Sequence, residues 1–105
     1  MNEPFLLDIN ALELTNPDSI QPVYSNNANL AIAPWDIRII FSEIVTTSKP
    51  GEAFNVLRAH IVMNPAHAKA LVDALAKTIE AYEKQFGEIK IPNFPPQILP
   101  AARKS

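Results

Sequence analysis

The stretch Phe54-Asn55-Val56-Leu57-Arg58-Ala59-His60-Ile61-Val62-Met63-Asn64-Pro65-Ala66-His67-Ala68-Lys69 contains a change of period that decides the fold. Up to Met63, β-branched and aromatic residues recur with a period of two, the mark of a strand. Asn64-Pro65 then supplies a favoured N-cap and a favoured first helical residue. Beyond it Ala68, Leu71, Leu75, Ile79, Tyr82 and Phe86 follow at spacings of three and four, with Val72 widening the stripe. The spacing predicts one amphipathic helix of about six turns, ending at Phe86 with Gly87 as its stop. Lys69, Asp73, Lys77, Glu80 and Lys84 fall on its opposite face. There Asp73 to Lys77 and Glu80 to Lys84 are i,i+4 pairs in the favourable order.

Working outward, period-two patterning over 24–33 and 35–45 predicts two strands ahead of the third at 54–63. Pro34 breaks the first from the second because it removes a ladder donor. Pro50-Gly51 suits the middle of a type II turn and makes the second and third strands a hairpin. The expected fold class is α+β: a small antiparallel sheet, one long amphipathic helix, and a proline-rich C-terminal tail. Residues 5–14 are a candidate fourth, edge strand. The chain divides into an N-terminal extension (1–22), one α+β domain (23–87) and an extended tail (88–105), in which Pro92, Pro95, Pro96 and Pro100 exclude a helix or a central strand.

Composition excludes several chemistries. The 105 residues contain no cysteine, so disulfides, thiolate catalysis and sulfur-ligated zinc are ruled out. The only glycines are Gly51 and Gly87, which leaves no phosphate-cradling loop and no G-x-S-x-G elbow for Ser25, Ser42 or Ser48. A net charge of −2 gives nucleic acid no general reason to bind. The longest uncharged run, 19–35, contains Pro22 and Pro34 and does not read as a membrane span. Glu3 and Asp8 interrupt the start of the chain, which does not read as a secretory signal, so a soluble, cytoplasmic protein is expected.

Candidate sites are few. His60 and His67 flank the strand-to-helix junction, without the acidic cluster or HExxH spacing that would make them metal ligands. Glu80 and Glu83 read as surface charges beside Lys84, and Trp35 as a core residue sharing a strand face with Ile37, Ile39 and Phe41. Pro92-Asn93-Phe94-Pro95 has a PxxP spacing, but Ile91, Phe94, Ile98 and Leu99 suit packing on this chain or a second copy. No catalytic, cofactor or metal residue is assigned. The informative feature is the sheet, because one helix covers one face and the other is not polar. Strict alternation sets Ile40 and Ile44 opposite Ile37, Ile39 and Phe41, and Phe54, Val56 and Val62 opposite Leu57, Ala59, Ile61 and Met63. Ile40, Ile44, Phe54, Val56 and Val62 are therefore the expected interface of a homo-oligomer, a dimer or tetramer, unless a terminal segment covers them.

The run from Arg58 to Leu71 and Tyr82-Glu83-Lys84-Gln85-Phe86-Gly87 resemble a small prokaryotic family classed as a domain of unknown function. In it a strand ends at an N-P-x-H-A-K junction and a helix at Y-E-x-x-F-G. Tyr24-Ser25-Asn26-Asn27-Ala28-Asn29-Leu30 and Trp35-Asp36-Ile37 to Phe41 resemble its first two strands, for a coverage of roughly 24–87. The resemblance implies the fold and makes His67 and Lys69 motif positions, with no established activity. The order of strands and one long helix is also similar to the SecB-like export chaperones, which assemble as oligomers and hold unfolded polypeptide. Three roles follow as expectations: a non-enzymatic oligomerising protein-interaction module, a SecB-like binder of polypeptide, or a small metal-binding or hydrolytic enzyme.

Overall fold

The computed structural model describes residues 11–91 and 97–99. Strands β1 (Asn27–Ile32), β2 (Ile37–Thr46) and β3 (Ala53–Met63) form an antiparallel meander, followed by helix α1 (Pro65–Phe86) and a short strand β4 (Gln97–Ile98). The sheet order is β3-β2-β1-β4, with β4 parallel to β1. The fold is α+β, as the change of period at Asn64 requires. The fourth strand comes from the C-terminal side: within the candidate N-terminal strand, residues 11–14 are not in a strand and 5–10 lie outside the described residues. Of the tail, Pro92-Asn93-Phe94-Pro95 also lies outside them.

The hairpin between β2 and β3 turns as its sequence dictates. Gly51 takes φ 78°, and the Glu52 N–H donates to the Lys49 carbonyl at 3.2 Å, which is the type II arrangement around Pro50-Gly51. β1 begins at Asn27 rather than at Tyr24 because side chains take over the ladder ahead of it. The Asn26 Oδ1 accepts the Ile44 N–H at 2.7 Å while its Nδ2 donates to the Ile44 carbonyl at 3.3 Å. Trp35 corrects the expectation of a core residue. It lies at the tip of the corner closed by the Ala33 N–H on the Asp36 carbonyl (3.0 Å), outside β2, and is 84% exposed.

α1 starts and stops at the expected residues. The Asn64 Oδ1 accepts the His67 N–H at 2.7 Å, Pro65 opens the helix, and Gly87, at φ 103°, donates its N–H to the Glu83 carbonyl at 2.9 Å. The i,i+4 pairs form on the outer face, Asp73 with Lys77 at 3.2 Å and Glu80 with Lys84 at 3.3 Å. What the helix does not do is cover the sheet. Only its first turn is anchored, where Ala68 is buried, and it shares no extensive contact with any strand. Leu75 is 53% exposed and Phe86 65%, and the Tyr82 and Phe86 rings, 4.9 Å apart, pack on each other. Among the described residues the buried apolar side chains are Met63 and Ala68, both at the strand-to-helix junction.

Candidate interaction surface

The side chains of β2 alternate strictly, placing Ile37, Ile39, Phe41 and Val45 on one face and Arg38, Ile40, Ser42 and Ile44 on the other. β3 does not alternate strictly. Phe41 pairs with Ala59 and Ser42 with Leu57, so Arg58 is an extra residue, a β-bulge. Past a bulge the phase of the strand slips by one. Phe54 and Val56 therefore join Ala59, Ile61 and Met63 on the Phe41 face, opposite Val45, Glu43, Phe41, Ile39 and Ile37. Leu57 joins His60 and Val62 on the Ile40 face.

This divides the five residues expected to form one interface. Ile40, Ile44 and Val62 stay together, and Phe54 and Val56 lie on the opposite side. The reason is the inserted Arg58. The signal was present in the sequence: apolar residues stand at 54 and 56, then at 59, 61 and 63, a break of phase across Arg58 that a strict alternation overlooks.

The two faces differ chemically as a result. β1 adds Ala28, Leu30 and Ile32 to the Phe41 face, and Asn27 and Asn29 to the Ile40 face. The Phe41 face is thus an almost unbroken apolar surface. Its charged members neutralise each other, Arg58 donating to Glu43 Oε1 at 2.8 and 3.1 Å. The Ile40 face is mixed, with Arg38, His60, Asn55 and the asparagines among its apolar residues. There Arg38 is bound to Asp36 at 3.0 Å, and that hydrogen bond and the attraction of the carboxylate raise the guanidinium pKa further. The guanidinium is therefore charged at every ordinary pH.

The Ser25 hydroxyl donates to the backbone carbonyls of Asn27 and Ser42, each at 2.8 Å, and the buried Ser42 hydroxyl is engaged with Asn27. His60 is on the Ile40 face and His67 in the first turn of α1. Among the described residues no three His, Asp or Glu side chains gather as a metal site. Glu80 is paired with Lys84, and Glu83 Oε2 accepts the Ile89 N–H at 2.9 Å. No described helix is long and apolar enough to cross a membrane.

A family model described as a protein of unknown function (DUF3467) matches residues 8–91. The match takes in the whole meander and α1 and extends at both ends past the 24–87 of the motif resemblance. Comparison with curated proteins and with solved structures gave no match.

Proposed function

The chain belongs to that family of unknown function, and because membership brings no activity with it, we propose from the chemistry of its surfaces a non-enzymatic module that self-associates, as a dimer or tetramer, and acts through protein contacts. One observation carries the reading: a chain with a long apolar helix stripe and an apolar sheet face buries, among its described residues, only Met63 and Ala68 of its apolar side chains. Leu71, Leu75, Ile79, Tyr82 and Phe86 are between 36% and 65% exposed. Completing their burial is worth on the order of 5 kcal/mol per chain, at about 2 kcal/mol for each fully buried large apolar side chain. That is comparable to the whole stability of a small domain, about 5–15 kcal/mol. A surface of this kind is covered in solution.

Light scattering at micromolar concentration tests the reading, with a mass of two or four chains expected. Val56→Glu, which sets a charge on the Phe41 face, should shift the protein toward monomer or aggregate. A monomeric native chain that tolerates Val56→Glu at full stability would refute self-association.

A second reading, a SecB-like binder of unfolded polypeptide, is favoured by β3. It lies at the edge of the sheet, 11 residues long, with Phe54 and Leu57 more than half exposed. Such an edge offers ladder groups to an extended peptide. Suppression of a client protein's aggregation by the intact oligomer would support it, and no effect at equimolar oligomer would remove it. A cytoplasmic location is part of the proposal, in keeping with a cysteine-free composition. So is the expectation that nucleic acid and membrane are not partners.

A further inference from the structure

We infer that α1 of one copy covers the Phe41 face of a second copy, and that the second copy returns the same contact. This rests on the self-association reading and adds which surface meets which.

Only Asn64 separates the last residue of β3 from the first of α1. Two Cα–Cα steps reach less than about 8 Å. Packed layers stand about 10 Å apart, so one linking residue leaves little chain in which to lift the helix and reverse it over its own sheet, and α1 shares no extensive contact with any strand of its own chain. The chain carries a cover and a surface that fits it, and within one chain the two stand apart beyond the first helical turn.

The helix and the sheet face match in length. The 22 residues of α1 span about 33 Å at the α-helical rise. The 11 residues of β3 span about 36 Å. Two chains laid antiparallel about a twofold axis near Asn64 put each helix along the full length of the other's sheet. In that register Leu75 lies about 15 Å from the helix start. This is the level of Ala59 and Phe41, roughly four residues along the strands from Met63 and Ile37. There the small side chain of Ala59 leaves room for a leucine. The aromatic end of the stripe, Tyr82 and Phe86, reaches the level of Val45 and Phe54 at the hairpin end.

The contact buries no unpaired ion, since Glu43 and Arg58 are bound to each other and the Asp73–Lys77 and Glu80–Lys84 pairs stay on the helix face turned to water. A helix-to-helix pairing of the two copies would leave the sheet face open.

The native chain has no cysteine, so introduced thiols report only their own contacts. Chains with Leu75→Cys and chains with Ala59→Cys are refolded together and treated with a short bifunctional thiol reagent. The expected product is a cross-linked heterodimer in several-fold excess over either homodimer. Leu71→Cys with Ile61→Cys, one turn nearer the axis, should behave alike and guards against a local folding defect. Predominant Leu75→Cys homodimer would show helices pairing with each other, and overturn this contact while leaving self-association standing. A cross-linked monomer from the Ala59→Cys, Leu75→Cys double variant would place the helix on its own sheet. Absence of cross-links in a folded oligomer would mean that another segment, such as residues 1–10, occupies the face. Both results would overturn the inference. A native chain of monomeric mass would instead remove the self-association reading on which it rests.

Discussion

Asn64 shows how much one residue does in this chain. It stands at the only place where the period changes from two to 3.6, and its extended backbone, at φ −70° and ψ 154°, ends the strand while its side chain caps the helix. The Asn64 Oδ1 takes up one of the first-turn amides that have no partner within the helix. Asn64→Ala should therefore lower stability by about 1 kcal/mol. The measurement is the urea midpoint at matched protein concentration, and an unchanged midpoint would mean that the Asn64 to His67 bond is not made in solution. Cap and proline were both legible in the sequence, because capping depends on the chemistry of a few adjacent residues. Trp35 was not, because whether a large aromatic residue is buried depends on where the corner at Pro34 falls.

At the scale of the element, the bulge in β3 organises the sheet. Deleting one residue from the middle of a regular strand sends every residue beyond it to the wrong face. Arg58 is the exception, since it is the residue without a partner in the ladder. Its removal leaves Leu57 opposite Ser42 and Ala59 opposite Phe41, with all faces preserved. The deletion of Arg58 should thus give a folded protein with native circular dichroism, losing only the Glu43 pair, a partly exposed ion pair contributing about 0–1 kcal/mol. Deletion of Ile40 in the central strand β2 is the contrasting case and should prevent folding, because it breaks registry with both neighbours. Equal loss of structure in the two deletions would show that the strand does not bulge at Arg58.

For the whole molecule, the question is where the core lies. A domain of about this size buries roughly two-thirds of the surface its unfolded chain exposes. Here the large apolar residues are arrayed on two extended surfaces, a helix stripe and a sheet face. If copies complete each other, folding and association are one equilibrium, and stability depends on protomer concentration. The melting temperature is accordingly expected to rise measurably over a hundredfold increase in protein concentration. A value independent of concentration, together with two-state melting, would point to a core completed within one chain.

The residues alone determined what local chemistry governs: three strands by their period, the hairpin by Pro50-Gly51, the helix by its stripe and by Asn64-Pro65 and Gly87, and the exclusion of thiolate and phosphate-loop chemistry by what is missing. The tertiary structure decided what pairing and distance govern. The register of β3 on β2 made Arg58 a bulge and parted Ile40, Ile44 and Val62 from Phe54 and Val56. The parallel pairing of β4 covered Asn29 and Leu30 of β1 and left β3 as the long edge of the sheet. A one-residue junction carried the helix away from the sheet that its apolar stripe resembles a partner for. A stripe in a sequence states that a surface is to be covered; only the length and direction of the connection determine whether the same chain can cover it.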